Sequence, residues 1–185
     1  GPPLKIGCDG PSDRQCRPYA KDLEEIRHLG SDGVSAPSAR TPEQTEVALF
    51  WLESSPYAWN RIARTVSAAN RLDLYENARL FALLNAAQAD GYIASWSTKF
   101  HYGFWRPVTA IREAANDNNP GTTMDPNWMS LAPTPPVPDY ESAHALEGAI
   151  AAQVIRKVLG PYGRTAFSQC SNSLPARRCD DPNPV

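Results

Sequence analysis

The chain has 185 residues, the length of one ordinary domain, and 42% of them are apolar, which is enough to bury a hydrophobic core. Its 18 lysines and arginines against 20 aspartates and glutamates leave a formal charge of −2, which argues against a protein that coats nucleic acid or an anionic membrane. We therefore expect no nucleic-acid partner. We also expect no membrane span, because no apolar stretch approaches the roughly 18 residues of a transmembrane helix.

Residues 1–40 predict an N-terminal arm with cysteines and one short helix, Lys21–Leu29. The four cysteines form two short-range pairs, Cys8 with Cys16 here and Cys170 with Cys179 near the other end, both in loop-like sequence. Neither pair has zinc-finger spacing, and each can close a small surface loop as a disulfide. We predict both disulfides and a secreted or periplasmic protein; the alternative is four free thiols in a cytosolic one.

Residues 41–160 predict a bundle of five helices. The first begins at Pro42, because Thr41 can cap it and Gln44 stands in the capping-box position. Apolar residues at helical spacing predict the others. They are a helix through Trp59–Val66, one over 72–98, one from Pro107 to about Ala114, and one over 141–159. Four large residues are expected in the core: Trp51, Trp59, Leu83 and Trp96.

A proline-rich loop over residues 116–140 separates the last two predicted helices, and residues 161–185 form an irregular tail without periodicity. No stretch of useful length alternates with period two, as a half-buried strand would. The sequence therefore predicts an all-α fold with an arm, a bundle that carries the functional residues, and a tail.

The first candidate site is the segment from Lys99 to Pro107, which reads KFHYGFWRP. Gly103 and Pro107 indicate a bend between two helices, and two cations that meet at a bend repel each other unless an anion lies between them. Arginine offers a planar fork of donors and lysine a point charge, a suitable pair for a tetrahedral oxyanion. The alternative is that Lys99 and Arg106 are solvated at a helix end and the aromatic residues belong to the core.

The second candidate site is the segment PDYESAHA, residues 138–145, where the loop enters the last helix. Unpaired N–H groups and the helix dipole favour an anion at such a start. Ser142 adds a hydroxyl donor, Ala143 lets a ligand approach the main chain, and His144 can exchange a proton near neutral pH. The alternative is a Ser/Glu helix cap beside a histidine satisfied by hydrogen bonds in the core.

Together, Lys-x6-Arg-Pro and the later Ser-small-His at a helix start resemble the vanadium-dependent haloperoxidases and their relatives, the type 2 phosphatidic acid phosphatases. The resemblance includes residues 40–44, Phe50-Trp51 and the stretch WRPVTAIR from Trp105. That stretch is closer to the bacterial haloperoxidase branch than to the membrane phosphatases. The resemblance implies the all-α haloperoxidase and acid phosphatase fold, of which this chain would hold the larger N-terminal part.

The resemblance also implies a role for each site residue. Lys99 and Arg106 would hold the oxygens of vanadate, or of phosphate in a phosphatase, and Ser142 and the N–H of Ala143 would bind the same oxygens. His144 would be the acid–base residue. Phe104 and Trp105 would line the pocket. Hydrogen peroxide and halide would be the substrates of a haloperoxidase, and a phosphoester that of a phosphatase.

Two departures from the family pattern stand out. Glu141 and Ala143 replace the proline and glycine of the family's Pro-Ser-Gly-His motif. The family's third motif ends in a histidine that is the apical vanadium ligand or the phosphatase nucleophile, and no histidine follows His144. Neither His28 nor His101 matches that motif. We therefore expect a C-terminal segment absent from this chain, or a second chain, to complete the site.

Three hypotheses follow. The first is a vanadate-binding haloperoxidase-like enzyme that oxidises halide with hydrogen peroxide and needs the missing segment. The second is an acid phosphatase for phosphomonoesters on the same scaffold, since phosphate and vanadate are nearly isosteric. The third is a non-catalytic helical subunit or a degenerate homologue. Halide-dependent bromination, phosphate release and loss of anion binding would distinguish them.

Overall fold

The computed structural model describes residues 2–10, 13–160, 165–174 and 179, and the regular structure in those ranges is helical, with one isolated bridge between Ser31 and Ser130 and no strand. The all-α prediction is confirmed. The helices are α1 (Arg17–Leu29), α2 (Pro42–Phe50), α3 (Ser55–Asn70), α4 (Leu74–Tyr102), α5 (Pro107–Arg112) and α6 (Ala143–Leu159), with a 3₁₀ turn at Ala114–Asn116.

Prolines in the first turn mark several helix starts, as their fixed φ and missing N–H favour. Pro42 begins α2 and Pro107 begins α5, both as predicted. The helix of the N-terminal arm begins at Arg17, four residues before the predicted Lys21, because Pro18 is compatible with a first turn. The residues from 117 to 142 contain no helix, in agreement with the predicted loop.

The chain folds into two compact units, each built from two stretches of sequence. The first unit comprises residues 1–42 and 98–141, and the second comprises residues 43–97 and 142–185. The last turn of α4 therefore belongs to the first unit. The division of the sequence into an arm, a bundle and a tail rests on composition and helical periodicity, and it stays a prediction.

The core of the first unit lies where α1 packs on α5. Its buried side chains are Tyr19, Leu23, Ala110, Ile111 and Trp128. The Trp128 indole, which comes from the proline-rich loop, is 1% exposed and donates from Nε1 to the carbonyl of Arg27 at 3.0 Å. The loop thus contributes a core residue and is fixed against α1.

The core of the second unit brings α3, α4 and α6 together. Its buried side chains are Ala63, Leu80, Leu84 and Ala151. Gly91 allows α4 to approach α6, because a Cβ at this position would lie 2.3 Å from the Cδ1 of Ile150. Trp59 packs against this cluster, as the sequence predicted.

The core prediction is wrong for three residues. Trp51 is 46% exposed, and Leu83 and Trp96 are each 43% exposed. For Leu83 and Trp96 the reason is that α4 is apolar on more than one face, while its packed face is the one that carries Leu80 and Leu84. Periodicity identifies an apolar helix, but it does not identify which of several apolar faces is covered.

Both predicted disulfides are present. The Cα atoms of Cys8 and Cys16 are 5.4 Å apart, and those of Cys170 and Cys179 are 5.1 Å apart. Among the described helices, none combines the length and hydropathy that crossing a bilayer would require.

Candidate functional site

Lys99 is a buried lysine in the last turn of α4, and its side chain is bound to the proline-rich loop. The residue is 5% exposed. Its Nζ donates to the carbonyl of Pro138 at 3.3 Å and to the carbonyls of Asp139 and Glu141. The three N–H donors of the ammonium group are thus matched by main-chain acceptors. These contacts solvate the cation without neutralising its charge.

The environment of Lys99 favours the loss of its proton. Burial lowers the pKa of Lys99 from its ordinary 10.5, and the positive charge of Arg106 lowers it further. The carboxylates of Asp139 and Glu141 oppose this change. Lys99 and Arg106 contact the same short stretch of loop, Lys99 through the carbonyls of Pro138 and Asp139 and Arg106 through the carbonyl of Val137 and the carboxylate of Asp139, so the two cations lie near each other.

Arg106 lies at the N-terminus of α5, directly after the bend. Gly103 forms that bend with a φ of +57°, which glycine adopts without a steric cost. The Nε of Arg106 donates to the carbonyl of Val137 at 2.7 Å, and Nη1 lies 3.3 Å from Oδ1 of Asp139. For Nη2, the described residues provide no hydrogen-bond partner. The guanidinium therefore keeps a donor edge for a further acceptor.

The two cations bind one short segment of loop, residues 137–141. The N–H of Asp139 donates to the carbonyl of Phe104 at 2.8 Å, which ties the segment to the bend from the other side. Loop carbonyls that have no helical or sheet partner are available to bind cations. The first unit thus contains a cluster of two partly buried cations, the two carboxylates of Asp139 and Glu141, and a loop main chain held by hydrogen bonds.

Ser142, Ala143 and His144 belong to the second unit, at the start of α6. Ser142 is the N-cap, and its Oγ accepts a hydrogen bond from the N–H of Ala145 at 3.3 Å. Ser142 and His144 are exposed. Because the Ser142 oxygen serves as an acceptor in the cap, its own O–H remains available as a donor.

One contact of His144 determines which ring nitrogen carries its proton. His144 Nε2 lies 3.3 Å from the carbonyl oxygen of Glu53. A carbonyl can only accept, so Nε2 is the protonated nitrogen, and Nδ1 of the neutral ring holds the lone pair. An acceptor at Nε2 therefore leaves Nδ1 as the nitrogen with the lone pair in the neutral tautomer.

A buried ion pair fixes the chain that supplies this carbonyl. The carboxylate of Glu53, 8% exposed, binds the guanidinium of Arg61 in α3 through both oxygens, with Nη1 to Oε1 at 3.2 Å. The same carboxylate accepts from the N–H of Asn172 at 3.3 Å, and Ser171 Oγ donates to the carbonyl of Phe50 at 2.7 Å. The segment that follows Cys170 is thereby docked beside Glu53.

The site segments lie within a stretch that is similar to a known family. Residues 79–178, more than half of the chain, match the family described as the VCPO second helical-bundle domain. The chain belongs to the vanadium haloperoxidase superfamily. It is 32% identical over 144 residues to vanadium chloroperoxidase of Curvularia inaequalis. That alignment covers 64% of this chain and 23% of the relative, so the chain spans about a quarter of the relative's length.

Within the described residues, no three His, Cys, Asp or Glu side chains are grouped to hold a metal ion. His101 is exposed and lies edge-on to Tyr102, and His28 lies beside Arg27 and Glu24. Neither histidine has a hydrogen bond to Lys99 or Arg106 in those residues.

Sequence reasoning missed three residues of these clusters. Asp139 lies in the second candidate segment, residues 138–145, but no sequence motif predicts that it pairs with Arg106. Glu53 and Arg61 are eight residues apart and on either side of a helix start, so no helical spacing relates them. Phe104 and Trp105, predicted to line a pocket, line a cavity of the first unit.

Proposed function

We propose that this chain is the oxyanion-binding part of a vanadate-dependent haloperoxidase, which oxidises halide with hydrogen peroxide. The observation that carries the proposal is the pair of neighbouring cations, Lys99 and Arg106, of which one is buried and the other keeps a donor edge. The partners of the Lys99 ammonium group are neutral main-chain carbonyls, so a bound anion would be its charged partner. Membership of the superfamily supports vanadate as that anion.

The described residues fit an oxyanion of this kind. Arg106 offers a planar fork and Lys99 a point charge. The resemblance to the family implies that the Ser142 O–H and the N–H of Ala143 would bind the same oxygens as neutral donors. Vanadate bound there would supply Lewis acidity that activates hydrogen peroxide toward halide. The chain's own contribution would be to hold the oxygens and to neutralise their charge.

His144 would be the acid–base residue, and its acting atom would be Nδ1. The Glu53 carbonyl holds Nε2–H, so the ring can take up or release a proton at Nδ1 without turning. Protonation of Nδ1 leaves the bond at Nε2 in place. Glu53 and Arg61 would act through His144, as residues that position it.

Glu141 and Asp139 would moderate the positive charge of the cluster. The carboxylates of both residues raise the pKa of Lys99 and so help to keep it protonated. The carbonyl of Glu141 is also an acceptor for Lys99. Glu141, which stands where the family pattern has proline, would therefore stabilise the charged form of the lysine that binds the anion.

The apical histidine of the family pattern would come from outside these residues, either from a further segment or from a second chain. The two disulfides support a site of action in an oxidising compartment outside the cytoplasm. The protein would therefore be secreted or periplasmic.

Imidazole provides a test, because it can replace a missing histidine ligand. The purified chain is supplied with vanadate, hydrogen peroxide and bromide, and bromination of an organic dye is followed with and without imidazole. We expect imidazole to raise the rate above that of vanadate and imidazole without protein, and Lys99→Met to abolish the gain. Lys157→Met, an exposed lysine of α6, is the matched control.

The other hypotheses make different predictions in the same experiment. Phosphate release from a phosphomonoester without bromination would identify an acid phosphatase. Neither activity, together with no vanadate binding, would identify a non-catalytic homologue. In both cases the haloperoxidase proposal would be wrong.

A further inference from the structure

The segment that follows Cys170 is buried in the second unit, and the proposed reaction assigns it no role. Ser171 is 0% exposed and Leu174 is 6% exposed, although residues 165–174 contain neither helix nor strand. A buried segment without regular structure needs specific partners for its polar groups. The partners of this segment therefore indicate what it holds in place.

The segment holds the turn between α2 and α3 at both ends. At one end, Ser171 Oγ donates to the carbonyl of Phe50 at 2.7 Å, in the last turn of α2, where carbonyls have no partner within the helix. At the other end, the N–H of Asn172 donates to Oε1 of Glu53 at 3.3 Å. Residues 50–53 are thus fixed from outside by two neighbouring residues of one segment.

The Cys170–Cys179 disulfide fixes those two neighbouring residues in turn. Cys170 directly precedes Ser171, and the N–H of Cys179 donates to Oδ1 of Asn172 at 3.1 Å. The two cysteines are nine residues apart in sequence, so the bond closes a short loop. Closing such a loop restricts the conformations that its residues can adopt. Without the bond, hydrogen bonds alone would hold the segment against the turn.

The same turn supplies the acceptor of His144. The carbonyl of Glu53 lies 3.3 Å from Nε2 of His144, and the turn, the segment and the histidine all belong to the second unit. We infer that the Cys170–Cys179 disulfide positions His144 through this turn, so that the ring is correctly oriented only in the oxidised chain.

The inference rests on the proposed function, in which His144 exchanges a proton at Nδ1. The disulfide forms when the two thiols give two electrons and two protons to the disulfide of a thiol oxidant, which leaves as two thiols. Disulfides form and persist in oxidising compartments outside the cytoplasm. The chain would therefore complete its acid–base residue only after export.

Removing the bond tests the inference. Cys170→Ser combined with Cys179→Ser leaves the turn and the histidine unchanged in sequence. The readout is the tautomer of His144, measured by long-range ¹H–¹⁵N NMR above the titration of the ring, in buffer without vanadate, peroxide or halide. We expect the Nε2-protonated fraction of His144 to fall to that of the exposed His101. The native tautomer in this variant would overturn the inference.

The matched control removes the other disulfide. Cys8→Ser combined with Cys16→Ser opens a loop of similar length in the first unit. We expect this control to keep the native tautomer of His144, because its loop does not contact the turn between α2 and α3 within the described residues. An equal change in both double variants would show a general loss of structure rather than positioning, and the inference would be wrong.

A second variant keeps the disulfide and removes one contact of the segment. Ser171→Ala deletes the hydroxyl that binds the carbonyl of Phe50, so the Nε2-protonated fraction of His144 should fall in the same direction. The control is Ser173→Ala, because Ser173 contacts Ser171 through its main-chain N–H, which alanine retains. Thermal unfolding confirms that each variant is folded. No change in Ser171→Ala would contradict the inference even if the double cysteine variant failed to fold.

The proposed function and this inference can fail separately. The tautomer is measured without a reaction, whereas the imidazole-supplemented bromination tests the reaction itself. Bromination by the native chain, together with an unchanged tautomer in both variants, would refute the positioning role alone. A changed tautomer without any bromination by the native chain would refute the proposed function and leave the positioning of His144 supported.

Discussion

Lys99 is an unusual lysine because its three partners are main-chain carbonyls rather than carboxylates. Carbonyl dipoles compensate part of the lost hydration, but the charge itself remains. Burial and Arg106 consequently lower its pKa. A residue in this condition gains a favourable partner when an anion binds, and that anion in turn favours its protonated form.

This condition predicts a pH dependence of anion affinity. Lys99 loses its charge as the pH rises through its lowered pKa, so anion affinity begins to fall at a lower pH than an ordinary lysine would allow. Lys99→Arg is the reference, because arginine keeps its charge throughout this range. We expect the ratio of native to variant affinity for phosphate to fall between neutral pH and pH 10.5. A constant ratio would show that Lys99 does not titrate in contact with the anion.

The single contact of His144 predicts its tautomer. Long-range ¹H–¹⁵N NMR above the titration of the ring should show Nε2 protonated and Nδ1 unprotonated, because Glu53 offers an acceptor to Nε2. His101, which is exposed, serves as the internal comparison and should show the ordinary mixture. A protonated Nδ1 in His144 would contradict the assignment of the acid–base atom.

At the scale of elements, proline, glycine and serine predicted most of the helix boundaries. Pro42 and Pro107 begin helices, and Gly160 ends α6, each through a local preference for one main-chain conformation. Local signals of this kind depend on a few consecutive residues, so they can be found in sequence. The exposure of Trp51, Leu83 and Trp96 depends on which helices meet in space, and periodicity contains no such information.

The junction between α2 and α3 predicts a stability effect. Arg61→Met leaves the buried carboxylate of Glu53 without its cation, which is expected to lower the free energy of unfolding by about 3 kcal/mol. Glu53→Gln combined with Arg61→Met removes both charges and should recover part of that loss. Urea unfolding measures both variants, with the exposed Arg64→Met as the control. A double variant less stable than Arg61→Met would contradict the ion-pair explanation.

The Cys8–Cys16 disulfide anchors the arm that precedes α1. The N–H of Cys8 donates to the carbonyl of Asn118 at 2.9 Å, and the amide of Asn119 donates to the carbonyls of Ile6 and Cys16. Replacing both cysteines by serine releases a short loop in the unfolded chain and should cost about 2–3 kcal/mol. Thermal unfolding of this variant and of the native chain measures the loss. An unchanged Tm would show that the hydrogen bonds of Asn119 suffice to hold the arm.

At the scale of the whole molecule, each compact unit combines two distant stretches of sequence. Residues 1–42 pack with residues 98–141, and residues 43–97 pack with residues 142–185. Motif spacing therefore identified Lys99, Arg106, Ser142 and His144 as candidates, but not the carbonyls and ion pairs that hold them. Such partners come from other segments, which have no fixed spacing from the motif.

Calorimetric titration of vanadate into the chain in phosphate-free buffer is the direct test of whether Lys99 and Arg106 bind an oxyanion. We predict saturable binding with Kd near the micromolar range, roughly −8 kcal/mol, and displacement by phosphate. Lys99→Met and Arg106→Met should each abolish it, whereas Lys157→Met should not. Absence of saturable binding, or full binding in Lys99→Met and Arg106→Met, would contradict the claim.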